Sequence, residues 1–244
     1  MPGCMNELQE SNTALKPIFD WPLIGIIGWL LLITIIFNPI VLTFVYLLSS
    51  NLELDERSLI LLQSLISGFV THCAFLVVIL YMLRNEGISF CKFGIHFKGN
   101  FGLYGFCLIL GALLEFSFVH FQFVFLQSTP LTPLEFPKSY WWFVLWFHLI
   151  SVGFLIPLVE EILFRGILFR SLLSYTNAGA AIAINIAVFL LCHIWVIEYT
   201  IDVIGIALVG CVSCIIYLKT RELVNAILFH MTWNIAATIQ TYFP

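Results

Sequence analysis

Apolar runs of about twenty residues recur along almost the whole chain, each long enough to cross a hydrocarbon layer of about 30 Å as a helix. Lipid offers no partner for a free N–H or C=O, so a segment of this length must satisfy its own backbone by coiling. Of 244 residues, 61% are hydrophobic and 10% charged, with a mean hydropathy of +1.04. Soluble domains carry about 25% charged residues. The chain reads as an all-α, polytopic integral membrane protein, one membrane domain over residues 1–244. Hydropathy suggests spans near 21–48, 58–83, 101–126, 140–158, 162–174, 179–197, 201–218 and 224–240, about eight transmembrane helices.

The first run is too long for the core of a signal peptide, and Glu7 and Glu10 precede it in place of a basic cluster, so it reads as a retained span. A net charge of −4, with ten Lys and Arg dispersed along the chain, gives no nucleic-acid face. Seven scattered cysteines argue against a disulfide framework; Cys211 and Cys214, alone on an apolar helix, read as packing residues. The loop Arg84–Asn100 and the three prolines of Ser128–Lys138 are the clearest breaks. Arg84, Lys92 and Lys98 claim the cytoplasm for one loop, and Lys219 and Arg221 claim it for another. Five expected spans separate the two loops, which would put them on opposite faces, so 162–174, short and carrying Arg165 and Arg170, is the suspect span.

Within this apolar chain, Ile156–Phe169 (IPLVEEILFRGILF) holds two carboxylates and a guanidinium. A charge at the bilayer centre costs about 2.5–3.5 kcal/mol on insertion scales, so three within six residues require pairing or a wet cavity. Glu161 and Arg165 are i,i+4 neighbours on one helical face, whereas Glu160, about 100° away, is free to point elsewhere. The plainer alternative is a helix start at the membrane surface, where Pro157 and carboxylates suit the first turn. Two further clusters sit on later helices: Phe189 with His193 and His230 with Asn234, each pair one turn apart. Alone, His193 reads as a hydrogen-bonded core histidine, and His230–Asn234 as interhelical glue. Together, the three polar faces can converge on one cavity and satisfy one another.

Glu160-Glu161-x-x-x-Arg165, Phe189-x-x-x-His193 and His230-x-x-x-Asn234, in that order, resemble the motifs of the CAAX protease and bacteriocin-processing (CPBP, or Abi) family of intramembrane endopeptidases, to which the type II CAAX prenyl endopeptidases belong. The motif-bearing catalytic helices cover residues 140–240. The resemblance implies an eight-helix bundle around a conical intramembrane cavity and hydrolysis of a peptide bond there. It assigns Glu160 and His193 to activation of the attacking water, His230 and Asn234 to the oxyanion, and Arg165 to orienting or neutralising Glu161.

These residue types suit that chemistry: a carboxylate and an imidazole in an apolar pocket can share a proton with water, and amide and ring N–H groups can meet a developing negative charge. The expected partners are the lipid bilayer and a peptide or lipid-modified protein substrate. No cofactor is favoured. Zinc held by Glu160, His193 and His230 is the alternative, although the chain lacks His-Glu-x-x-His and Asn234 is a poor zinc ligand. Two other functions compete: a non-catalytic peptide-binding immunity or scaffold protein, and a proton-coupled transporter using Glu160 and Glu161. Glu115, His120, His148 and Asn185 are further candidate cavity residues, and Tyr140–Trp146 reads as an aromatic anchor at headgroup level. A short chain without an organelle signal fits a bacterial plasma membrane.

Overall fold

The computed structural model describes residues 23–49, 54–95, 100–125, 138–194 and 200–243. The described residues are helical almost throughout. Among them, seven long helices follow one another: α1 (Leu23–Ser49), α2 (Glu56–Asn85), α3 (Phe101–Phe125), α4 (Tyr140–Tyr175), α5 (Ala178–Cys192), α6 (Thr200–Thr220) and α7 (Leu223–Tyr242). Five of them, α1 to α4 and α6, are long and apolar enough to cross a membrane. Large apolar side chains such as Trp29, Phe44, Val77, Phe106 and Ile109 are exposed on α1 to α3. Buried instead are Glu160, Glu161, Arg165 and His230. Apolar residues outside and charges inside is the arrangement that a lipid solvent selects. The protein is an integral membrane protein.

The expected spans 140–158 and 162–174 are corrected to a single helix, α4, so the described residues do not show eight separate spans. Pro157 and the charges of Ile156–Phe169 suggested a break there. Two π-helical stretches, Leu149–Leu155 and Glu161–Phe169, flank the proline and carry the helix past it. Proline lacks the N–H of a regular turn, and a locally widened turn accommodates that loss without ending the helix. The charges do not end it either, because Arg165 and Glu161 are fully buried against each other.

This merger also removes the conflict between the two basic loops. The Leu223 N–H donates to the Gly94 carbonyl at 3.1 Å, and Arg170 donates to the Lys92 carbonyl, so the α2–α3 turn, the end of α4 and the α6–α7 turn share one face. Gly94, with φ of 76°, is required there: a Cβ would lie 2.6 Å from the Arg221 carbonyl oxygen. Lys98, residues 126–137 with their three prolines, and the residues before Leu23 lie outside the described residues. Of the cysteines, Cys91 in the α2–α3 turn is disulfide-bonded, whereas Cys73, Cys107, Cys192, Cys211 and Cys214 are free thiols in the helices.

Two close approaches fix the helices that carry the polar residues. Gly111 on α3 packs against the backbone of α7, where an added Cβ would stand 2.4 Å from the Phe229 carbonyl oxygen. Gly205 on α6 packs beneath the Phe118 ring. Asn177 caps α5, accepting the Ala180 N–H at 3.0 Å, and α5 ends at His193.

Candidate active site

Glu160 and Glu161 lie on consecutive positions of α4 and face different neighbours. Glu161 turns inward: its Oε1 is 3.1 Å from an Arg165 guanidinium nitrogen and 2.9 Å from His230 Nδ1, and neither Glu161 nor Arg165 has exposed surface. Arg165 is held further by the Gly210 carbonyl at 3.1 Å and by the Phe189 ring, whose centroid is 4.7 Å from the guanidinium carbon. That stacking gives Phe189 a physical role: it covers the flat face of a buried cation.

Glu160 turns toward a cavity of about 420 Å³ between the helices, lined among others by His72, His148, His193, Trp233 and Asn234. Three imidazoles surround its carboxylate. His193 Nε2 is 3.3 Å and His72 Nε2 is 3.6 Å from Oε1, and His230 Nε2 is 3.8 Å from Oε2. The other nitrogen of each ring is engaged elsewhere. His193 Nδ1–H donates to the Phe189 carbonyl at 2.8 Å and His72 Nδ1–H to the Gly68 carbonyl at 2.7 Å. His230 Nδ1–H donates to Glu161. A carbonyl oxygen can only accept, so Nδ1 of His72 and of His193 carries a proton and each Nε2 is directed at Glu160.

Asn234 lines the same cavity, and its Nδ2 donates to the Val152 carbonyl at 2.9 Å. Val152 lies in the first π-helical stretch of α4. An amide nitrogen has two hydrogens, so one remains for a second acceptor. The structure thus gathers Glu160, His193, His230 and Asn234 around one space, with Glu161 and Arg165 buried behind them.

His72, on α2, carried no motif in the sequence and was not anticipated. The available signal was a lone ionisable residue in the middle of an apolar run. Other candidates have structural surroundings. Asn185 donates to the Phe164 carbonyl at 2.8 Å and accepts from the Cys214 thiol at 3.3 Å, fully buried and away from the cavity. His148 lines the cavity with its Nδ1 3.4 Å from the Tyr242 hydroxyl. Glu115 is buried on α3, and His120 is exposed.

A carboxylate in contact with three rings, at the wall of a largely apolar cavity, can take a proton from a water placed between it and an imidazole. An adjacent amide donor and a carboxylate-backed imidazole can stabilise a negative oxygen. Residues 140–236 match the family model for type II CAAX prenyl endopeptidase Rce1-like proteins. No curated protein and no solved structure matches the chain.

Proposed function

On the premise that residues 140–236 form an Rce1-like domain, consistent with the CPBP family, in an integral membrane protein, we propose that the chain is an endopeptidase that hydrolyses a peptide bond of a membrane-associated peptide or lipid-modified protein inside the bilayer. The observation that carries the proposal is the Glu160 carboxylate on the cavity wall with the Nε2 atoms of His193 and His230 within 3.8 Å.

In this reading, a water between Glu160 and His193 attacks the scissile carbonyl carbon and gives its proton to Glu160 Oε1. The carbonyl oxygen becomes an oxyanion facing His230 and the remaining Asn234 hydrogen. Glu161 has two tasks that need no contact with substrate. It fixes the His230 ring through Nδ1, and it stabilises positive charge on that ring when Nε2–H is offered to the oxyanion, as the carboxylate of a catalytic triad does. Arg165 balances Glu161 and keeps it from turning into the cavity.

We favour the metal-free form of this chemistry. It is supported by Asn234, a good amide donor and a poor zinc ligand. A helical bundle around a conical intramembrane cavity remains part of the proposal.

Purified wild-type and Glu160→Gln proteins, matched for thermal unfolding in detergent, would be given a library of membrane-anchored peptides in liposomes. Cleavage by the wild type and a loss of at least about 100-fold in the variant is the expected result. Equal cleavage by both would remove Glu160 as the base. Binding of peptides without cleavage by either protein would favour the scaffold reading.

A further inference from the structure

We propose that His72 is the proton donor to the leaving amine, an inference that rests on the protease reading above. Peptide hydrolysis requires two proton movements: one off the attacking water and one onto the amide nitrogen as the C–N bond breaks. Glu160 and His193 serve the first, and His230 and Asn234 serve the oxyanion. None of these assignments supplies the second.

His72 has the required position. It belongs to α2, a different wall of the cavity from α4 and α5, and it lines the cavity beside Glu160. Its Nε2 is 3.6 Å from the same carboxylate oxygen, Oε1, that His193 approaches at 3.3 Å. A proton received on Oε1 is therefore within reach of two rings. His193 is the ring assigned to hold the water. His72 is the ring with no other task.

The ring is also oriented for transfer. Its Nδ1–H is tied to the Gly68 carbonyl at 2.7 Å, which leaves Nε2 as the proton-accepting atom facing Glu160. Gly68 lies one turn earlier on α2, and a Cβ there would stand 3.3 Å from Ile156 Cδ1, so α2 and α4 meet closely at this level. The Phe75 ring, 5.9 Å away and tilted, flanks the imidazole. The His72 side chain retains 16% exposure, against 8% for Glu160, so it opens into the cavity where a substrate would lie.

The step balances without any further reagent. The water oxygen bonds to the carbonyl carbon, and one water proton passes to Glu160 Oε1. That proton moves to His72 Nε2, giving an imidazolium held by Gly68 on one side and Glu160 on the other. When the tetrahedral intermediate collapses, the C–N electron pair returns to nitrogen and Nε2 delivers the proton there. The products are a free amine and a carboxylic acid, and His72 is neutral again.

The test compares two substrates that differ only in whether the leaving group needs a proton. One is a fluorogenic farnesylated peptide with an amide at the scissile position; the other carries a thioester there, whose thiolate departs unprotonated. His72→Ala and His72→Gln are measured on both, in liposomes, with thermal unfolding as the folding control. The expected result is a fall in kcat on the amide of about 100-fold for both variants, with thioester turnover within about 3-fold of wild type. Equal losses on both substrates, or no loss on the amide, would overturn the assignment and leave His72 a packing residue. Failure of the wild-type protein to cleave either substrate would instead overturn the protease reading beneath it.

Discussion

Arg165 and Glu161 form an ion pair 3.1 Å across in which neither side chain has any exposed surface. In a lipid-facing bundle this pair is a structural commitment as well as an electrostatic one, since either charge alone would be buried without its counter-ion. Arg165→Met is expected to destabilise the protein by about 3–5 kcal/mol, the cost of stranding a buried partner. The double substitution Glu161→Gln with Arg165→Met removes both charges and is expected to recover most of that loss. Thermal unfolding of the four proteins in one detergent gives the coupling directly. Additive losses would show that the pair is not acting as a unit.

The same double variant separates stability from chemistry. A glutamine amide oxygen at this position can still accept from His230 Nδ1–H but has no charge to stabilise an imidazolium there, so folding returns while hydrolysis stays at least about 10-fold below wild type. Recovery of full activity together with stability would mean that Glu161 has no part beyond balancing Arg165.

Asn234 donates one amide hydrogen to Val152 and is proposed to offer the other to the oxyanion. Asn234→Ala is expected to lower kcat by about 100-fold or more with KM little changed, because the contact forms only in the transition state. A rise in KM at unchanged kcat would place Asn234 in ordinary substrate binding.

Because the proposed chemistry is metal-free, a strong zinc chelator should leave wild-type turnover unchanged after prolonged incubation. Loss of turnover that zinc restores would move Glu160, His193 and His230 into a ligand set.

Gly111 lets α3 touch α7 one residue before His230. Gly111→Ala places a methyl group 2.4 Å from a backbone oxygen that cannot move without carrying α7 with it. Overpacking of this kind costs about 1–3 kcal/mol, and displacement of His230 should reduce activity beyond the stability loss. Activity equal to wild type at a temperature where the variant is fully folded would contradict the dependence of His230 on that approach.

Glu86→Cys and Lys219→Cys probe topology, since their turns are joined through Gly94 and Leu223. A membrane-impermeant maleimide should label both from the same side of a sealed vesicle. Labelling from opposite sides would restore the odd number of crossings that the hydropathy profile suggested.

The polar core of α4 was legible because charge stands out in apolar sequence: Glu160, Glu161 and Arg165 had to be paired or wet, and helical spacing alone matched Glu161 with Arg165. The continuity of α4 was not legible. Pro157 and the charges read as a boundary, and π-helical turns leave no signature in a hydropathy profile. His72 was missed for a related reason. Its partners are the carbonyl of Gly68, which any residue could supply, and Glu160, which is remote in sequence. Asn185 illustrates the opposite error: polarity within a span suggested the cavity, while the side chain satisfies a neighbouring backbone carbonyl.

The contact between His72 and Glu160 also means that the proposed centre outgrows the segment that matches a known family. Residues 140–236 contain Glu160, His193, His230 and Asn234, but the third ring on the carboxylate arrives from α2, across the chain between them. An excised fragment with every family motif would lack the ring proposed to protonate the leaving amine. During insertion, the helices made last must close against one made early before Glu160 meets all three rings. In the proposed mechanism, competence to cut therefore waits on the whole bundle, and a half-assembled chain, with its own exposed apolar segments close at hand, lacks the ring that would release the amine.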